Sequence, residues 1–194
     1  MRIIGKPIID EGSRDHTDAR GALDALSGSS FTGDTGRKCL ISGAGDTART
    51  IGFTMADAGY EIFISNRTMS KARDLARELN RYTEAYAIEQ DELLNVSSDL
   101  SVVINCTSLG MKGGPKGMPV PADLFHRKMV VFDVVYTPMK TEMLIEAEKR
   151  GAEVVHGYKM LIGQGLRSYD LWTGREGPRE VMDKSVLKRL GEKG

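Results

Sequence analysis

Short apolar runs alternate with longer stretches of helical spacing along most of the chain, as in Thr47 to Ala58, where Ile51, Thr54 and Met55 stand at i, i+3 and i+4. The runs predicted as strands are Lys38 to Ser42, Glu61 to Ser65, Ala85 to Ile88, Val102 to Cys106, Met129 to Val134 and Glu153 to His156. The predicted helices are Asp18 to Leu26, Thr47 to Ala58, Ser70 to Arg81, Met139 to Arg150 and Lys159 to Trp172. This alternation is typical of βαβ units. The sequence therefore predicts one α/β domain, a doubly wound, Rossmann-like parallel sheet in three α/β/α layers.

A stretch rich in glycine and hydroxyl residues, Ser27 to Arg37, separates the first predicted helix from the rest. Such a composition is typical of a flexible connection. We therefore predict an N-terminal segment, residues 1–37, that holds a bridging helix and this linker. Residues 38–190 are predicted to form the dinucleotide-binding domain.

Composition narrows the classes of function. Lys and Arg together number 27, as do Asp and Glu, so the net charge is zero and no overall field favours nucleic acid or an anionic membrane. The longest apolar run, Met129 to Val135, is shorter than the ~20 residues that span a bilayer, and Met1 to Pro7 lacks the pattern of a secretory signal. Cys39 and Cys106 lie in apolar runs and are predicted to be reduced thiols. We expect a cytoplasmic protein.

A glycine-rich turn follows the first predicted strand and opens a helix. It has the pattern GxGxxA, in which Gly43 permits a tight turn, Gly45 lets a pyrophosphate approach the backbone, and Ala48 allows close helix–sheet packing. The candidate phosphate contacts are Gly43, Ala44, Gly45, Asp46 and Thr47. Asp46 would repel a diphosphate if its side chain turned inward; its other interpretation is a helix cap.

The end of the second predicted strand indicates which dinucleotide is bound. An NAD site would offer Asp or Glu there, whereas this chain has Asn66, Arg67 and Thr68, with Lys71 one turn further on. Guanidinium and ammonium groups complement a 2′-phosphate through charge-assisted hydrogen bonds. The pattern favours NADP over NAD, the alternative being a solvated basic start of a helix.

Several motifs, in order along the chain, together resemble the NADP-binding domain of shikimate dehydrogenase, particularly the form joined to dehydroquinase in plants. They are His16 to Asp18 with Gly21, Gly43 to Ala48, Asn66 to Thr68 with Lys71, Asn105 to Met111, Asp133 to Pro138, Gly157 to Gln164, and Leu171 to Gly174. The resemblance covers about His16 to Val186.

The resemblance implies an NADP-dependent reduction of 3-dehydroshikimate to shikimate, in aromatic amino acid biosynthesis, without a metal. It places Thr107, Val134, Gly157 and Met160 at the nicotinamide end of the cofactor. It also assigns Asp18, Tyr136 and Gln164 to the polyhydroxylated ring, with Asp18 as the catalytic residue. An acid, a phenol and an amide offer donors and acceptors suited to vicinal hydroxyls.

The chain departs from the family's pattern at its beginning. In the family a substrate domain precedes the Thr-Asp motif and carries a catalytic lysine, but Thr17 is preceded here by too few residues for a domain. Lys6 and Lys159 are candidates to replace this lysine, and His16 is a candidate proton relay. An ionised Asp18 orients a hydroxyl but is a poor proton donor.

We therefore expect the cofactor half of a shikimate dehydrogenase, with the catalytic lysine on a second domain or subunit. We expect an exposed apolar face at the N-terminal helix. If the helix Asp18 to Leu26 and the helix from Met160 normally pack against that partner, the chain should form a homodimer through this surface or be marginally soluble. Other interpretations stay open: a non-catalytic NADP-binding module, a glutamyl-tRNA reductase-like or methylene-tetrahydropterin-type dehydrogenase, and quinate in place of shikimate.

Overall fold

The computed structural model describes residues 14–30 and 37–191. They form one six-stranded parallel sheet in the order β3-β2-β1-β4-β5-β6. The strands are β1 (Lys38–Ser42), β2 (Glu61–Ser65), β3 (Ala85–Ala87), β4 (Leu100–Asn105), β5 (Val130–Asp133) and β6 (Glu153–His156). This order reverses direction between β1 and β4, and in such sheets ligands bind at the carboxyl ends of the strands beside that reversal.

Helices cover both faces of the sheet. They are α1 (Arg14–Leu26), α2 (Asp46–Asp57), α3 (Met69–Leu79), α4 (Leu93–Val96), α5 (Glu142–Lys149), α6 (Gly157–Thr173) and α7 (Arg179–Leu190). Leu26, Ile51 and Leu75 belong to a core on one face, and Leu93 and Leu144 to a core on the other. The predicted doubly wound, three-layer α/β fold is confirmed.

The strands could be predicted from the sequence because the sheet is buried on both faces. In β1, Cys39 and Ile41 enter one core and Leu40 the other, and all three are fully buried. A strand covered on both faces is apolar without alternation, which separates it from an amphipathic helix. Three of the predicted strands have the observed bounds, and the others differ by one or two residues at an end.

The main corrections to the helix predictions concern α1, which begins at Arg14 rather than Asp18, α4, which no prediction covered, α5 and α7. The predicted helix Met139 to Arg150 begins later, at Glu142, because Thr141 caps it by accepting a hydrogen bond from the Leu144 N–H. No prediction covered α7, none of whose residues is buried. A helix without a buried face leaves no apolar period in the sequence.

The expected exposed apolar face on α1 was wrong. Of the apolar side chains of α1 that the structure describes, Ala19, Ala22, Ala25 and Leu26 are buried and Leu23 is half-buried, and α1 packs along α6. Among the large apolar side chains that the structure describes, Trp172 at the end of α6 is the most exposed, at 85%, and its neighbour Leu171 is 45% exposed. The predicted linker falls largely in residues 31–36, outside the described residues, and the predicted domain boundary stays a prediction.

None of the helices in the described ranges is long and apolar enough to cross a membrane.

Candidate active site

The turn between β1 and α2 fits glycine alone at its first position. Gly43 has φ +111°, and an added Cβ would lie 3.1 Å from both the carbonyl carbon and the oxygen of Cys106. Its N–H donates to the Ser65 carbonyl oxygen over 2.8 Å. The turn is thus held between the ends of β2 and β4, where a side chain would be strained and would clash.

The amino terminus of α2 is open toward solvent. Gly45 occupies the cap position without any side-chain cap, and nothing lies within 4 Å of where its Cβ would be. Ala48 is fully buried against the core. Backbone N–H groups in this first turn therefore stay available to an anion that approaches closely, which fits the pyrophosphate of a dinucleotide.

Asp46 is the first residue of α2, and its side chain is exposed. The interpretation of Asp46 as a helix cap is wrong, since Gly45 holds that position. A carboxylate at the first helical position is favoured by the helix dipole. Solvent exposure lets it turn away from an anion bound at the backbone.

A cleft of about 430 Å³ opens beside the end of β2, and we name it the β2-side cleft. Asn66 and Arg67 line it, and the Asn66 side-chain amide donates to the Thr68 carbonyl oxygen over 2.9 Å, which shapes the turn into α3. Arg67 and Lys71 are exposed, and the first turn of α3 holds no acidic residue. This end of the cleft is therefore positively charged.

The β2-side cleft also contains polar groups that the sequence did not single out. Ser42 and Ser65 are register partners at the ends of β1 and β2, and both are buried. The Gln90 amide donates to the Pro119 carbonyl oxygen over 3.0 Å. The Ser42 hydroxyl has no hydrogen-bond partner among the described residues. A serine at the end of an apolar strand carries no sequence signal of such a position.

A second cleft, of about 400 Å³, lies beyond the ends of β4 and β5, and we name it the β5-side cleft. Its lining residues are Thr47, Cys106, Thr107, Ser108, Met111, Lys112, Val134, Val135, Tyr136 and Thr137. Thr107 and Ser108 also line the β2-side cleft, so the two clefts meet beside the glycine turn. Together they form a groove along the carboxyl edge of the sheet.

Buried polar side chains hold the loops that form the β5-side cleft. Asp133, fully buried at the end of β5, accepts from the Asn105 amide (2.9 Å), the Val135 N–H (3.0 Å) and the Thr141 hydroxyl (2.6 Å). The Asn105 oxygen accepts from the Thr107 N–H and hydroxyl, over 2.9 and 2.7 Å. Burial raises the pKa of Asp133 to about 6, although these hydrogen bonds oppose the shift. The network fixes the backbone on both sides of the cleft.

The thiols are free, as the sequence predicted, and Cys106 lines the β5-side cleft. Burial raises the pKa of both the Cys39 and the Cys106 thiol. Because the thiolate is the reactive form, these thiols are poor nucleophiles. Within the described ranges, no group of three or more His, Cys, Asp or Glu could hold a metal ion.

Two of the residues assigned to the ring lie in direct contact. The Gln164 side-chain amide donates to Asp18 Oδ1 over 2.8 Å, although 146 positions separate them. Glycines allow this approach of α6 to α1, because a Cβ on Gly21 would lie 2.8 Å from the Met160 carbonyl oxygen and one on Gly163 2.8 Å from the Gly21 Cα. Both polar side chains are half-buried.

The remaining predicted site residues are more dispersed. Tyr136 is 44% exposed and lines the β5-side cleft with Val134 and Thr107. Gly157 is buried beneath that cleft, where a Cβ would lie 2.5 Å from the Val134 carbonyl oxygen. Met160 is 5% exposed and belongs to the core rather than to the lining of either cleft.

Of the residues considered in place of the catalytic lysine, the structure describes the side chain of Lys159 alone, and Lys159 lines neither cleft. Lys159 lies on the surface of α6 and lines a groove shared with α7. Lys6 and the side chain of His16 lie outside the described residues. Lys112, which the sequence analysis missed, is the lysine that lines the β5-side cleft. It stands in a glycine- and proline-rich loop, whose path the local sequence does not specify.

Comparisons with known proteins agree with this geometry. Residues 26–115 match the family described as shikimate/quinate 5-dehydrogenase, and residues 157–187 match the shikimate 5′-dehydrogenase C-terminal domain. The shikimate dehydrogenase (NADP⁺) of Archaeoglobus fulgidus is 36% identical over 175 residues, which cover 90% of this chain and 64% of that protein. The chain therefore spans less than two thirds of this relative's length.

Solved structures of shikimate 5-dehydrogenases are also similar to this chain. Shikimate 5-dehydrogenase of Listeria monocytogenes, in complex with shikimate and NAD, is 28% identical with a TM-score of 0.80, and the match covers 88% of this chain and 62% of that one. The Thermus thermophilus enzyme, in complex with NADP(H) and shikimate, is 31% identical with a TM-score of 0.76, and the match covers 90% and 62%.

Proposed function

Because the chain belongs to the shikimate dehydrogenase family and spans less than two thirds of the relatives it matches, we propose that it is the cofactor half of an NADP-dependent shikimate dehydrogenase. The reaction is the reduction of 3-dehydroshikimate to shikimate in aromatic amino acid biosynthesis. A second domain or subunit supplies the catalytic lysine that the resemblance implies. Two free cysteines, Cys39 buried and Cys106 half-buried, suit a reducing compartment, and we propose the cytoplasm.

One observation carries the cofactor assignment: the uncapped amino terminus of α2 lies at the junction of two clefts, one of which ends at exposed Arg67. The backbone N–H groups of α2 suit the bridging phosphates. Arg67 and Lys71 suit the 2′-phosphate, which also removes the conflict of their charge with the dipole of α3. We therefore propose NADP rather than NAD.

The substrate assignment is supported by the hydrogen bond between Gln164 and Asp18. The bond uses one of the two Gln164 amide donors, and the second can donate to a ring hydroxyl. Tyr136 offers a phenol from the lining of the β5-side cleft. We propose that these three side chains bind the polyhydroxylated ring.

Bound NADPH supplies the hydride in this reaction. The reduced ketone oxygen gains negative charge, so it needs a proton donor beside it. Asp18 orients a ring hydroxyl through its carboxylate while Gln164 fixes its position. The Asn105–Asp133–Thr141 network keeps the cleft floor in place, and the proton comes from the second component.

The test is a calorimetric titration of the purified chain with NADP⁺, followed by an assay for shikimate-dependent NADP⁺ reduction, with and without a separately produced substrate domain of a relative. We expect binding by the chain alone and turnover only in the mixture. Absence of binding would refute the cofactor assignment, and turnover by the chain alone would refute the need for a second component.

The same assay separates the alternative functions. Binding without turnover beside any substrate domain would identify a non-catalytic NADP-binding module. Turnover with quinate rather than shikimate would change the substrate. If the chain is another dehydrogenase of this fold, Gln164→Ala leaves its activity unchanged, whereas our proposal requires a loss.

A further inference from the structure

Lys112 is the only charged side chain among the residues that line the β5-side cleft. The other lining side chains are hydroxyls, a thiol and apolar groups. Lys112 makes no ion pair with any described residue, whereas Lys140 and Lys149 each pair with a glutamate. Its ammonium group is therefore not neutralised by a carboxylate in the described structure.

The backbone of Lys112 is fixed at the mouth of this cleft. Its N–H donates to the Thr137 carbonyl oxygen over 2.7 Å, which joins the loop after β4 to the loop after β5. Two further bonds close the loop, from the Gly110 N–H to Pro115 and from the Gly114 N–H to Met111, over 3.0 and 2.9 Å. The ammonium group can move only within reach of this fixed point, beside Tyr136.

The fold determines which half of a dinucleotide meets Lys112. A doubly wound sheet binds one mononucleotide over each half, across the reversal of strand order. The basic group at Arg67 takes the adenosine half into the β2-side cleft, so the nicotinamide half enters the β5-side cleft. The nicotinamide ring carries a positive charge when oxidised and none when reduced, while the phosphates are the same in both forms.

We propose that Lys112 selects the redox state of the cofactor: its ammonium group disfavours the oxidised, cationic nicotinamide and leaves the reduced form unaffected. This inference rests on the proposed function, because it requires that the chain binds NADP(H). It gives the cofactor half a preference for the form that reduces 3-dehydroshikimate. The carboxylate of Asp133, of opposite charge, lies beneath the same cleft. All the variants compared below retain Asp133.

Coulomb repulsion sets the expected size of the effect. Two unit charges ~7 Å apart in water repel by an amount that lowers affinity roughly threefold. A partly dry cleft increases the factor, and added salt reduces it, because the Debye length at physiological ionic strength is only ~8 Å. The effect should therefore be largest at low salt.

The experiment measures dissociation constants of NADP⁺ and NADPH by calorimetry with the whole chain. The variants are Lys112→Gln, which removes the charge, Lys112→Arg, which retains it, and the control Lys116→Gln. Lys116 is exposed in the same loop and lines neither cleft. Both Gln variants change the net charge equally.

For Lys112→Gln we expect NADP⁺ to bind about threefold more tightly and NADPH with unchanged affinity, and we expect high salt to remove this difference. Lys112→Arg and Lys116→Gln should keep the wild-type ratio of the two constants. If Lys112→Gln weakens the binding of NADP⁺ and NADPH equally, the ammonium group contacts a phosphate and the proposal is overturned. The proposal is also overturned if Lys112→Gln leaves the ratio of the two dissociation constants unchanged, or if Lys116→Gln changes that ratio by the same amount. Failure of the wild-type chain to bind either form would instead refute the proposed function.

Discussion

At the scale of single residues, the candidate site depends on charges whose surroundings differ sharply. Arg67 is exposed at the end of β2, whereas Asp133 is buried at the end of β5 among three hydrogen-bond donors. An exposed cation can bind an incoming anion at little cost of desolvation. A buried carboxylate instead makes the stability of its surroundings depend on pH.

Replacing Arg67 by Ala tests the 2′-phosphate contact. The charge-assisted hydrogen bond should contribute about 1.5 to 3 kcal/mol to NADP⁺ binding, and this is the expected loss by calorimetry. Affinity for NAD⁺, which lacks that phosphate, should stay the same. Arg77→Ala is the control, since Arg77 lies on α3, beyond the turn that holds Arg67, and pairs with Asp74. An equal loss for both nucleotides would exclude a 2′-phosphate role.

The raised pKa of Asp133 predicts that the free energy of unfolding depends on pH. Its folded-state pKa of about 6 lies above the ordinary value of 3.8, so the folded protein binds more protons than the unfolded chain between these values. Its contribution to the free energy of unfolding should therefore rise by up to about 3 kcal/mol as the pH falls from 7 to 4. Urea titrations of wild type and Asp133→Asn should show this as a growing difference. A constant difference would contradict the prediction.

At the scale of elements, one glycine-to-glycine contact positions the ring-binding side chains. Gly21 on α1 and Gly163 on α6 let the two helices approach, and this approach is what allows Gln164 to reach Asp18. The contact is therefore both a packing feature and a condition for the proposed substrate site.

Gly21→Ala should separate the two helices. Its new Cβ would lie 2.8 Å from the Met160 carbonyl oxygen and 2.9 Å from the Gln164 side chain, so we expect a loss of about 1 to 3 kcal/mol in the free energy of unfolding. Gly28→Ala is the matched control, because nothing lies within 4 Å of its Cβ position. A Gly21→Ala variant as stable as wild type would show that the helices adjust freely.

The elements also show how far the sequence could be interpreted. Buried strands such as β1 are apolar on both faces, and α2 and α3 each bury one stripe, so local patterns identify them. The helix α7 buries nothing and was missed. The hydrogen bond of Gln164 to Asp18 and the position of Lys112 depend on long-range contacts that no local period encodes. Gln164 was identified through the family resemblance, and Lys112 only through the structure.

At the scale of the whole molecule, the most exposed large apolar side chain of the described residues, Trp172, lies where α6 ends. We expect the chain to self-associate through Leu171 and Trp172, whose exposed side chains favour burial against a partner. Sedimentation velocity should show a fraction of dimer that increases with protein concentration and is smaller in Trp172→Ser. Leu94→Ser is the control, since Leu94 is 48% exposed on the opposite face of the sheet. A monomer at all concentrations would contradict this expectation.

Trp172 is the one tryptophan of the chain, and its indole lies almost wholly in water. Its fluorescence therefore reports on a single place, the end of α6, without interference from any other indole. Free protein should emit at long wavelength and be quenched readily by iodide. Docking of a second domain there would shift the emission to the blue and shield it, so the native chain carries its own optical signal of assembly.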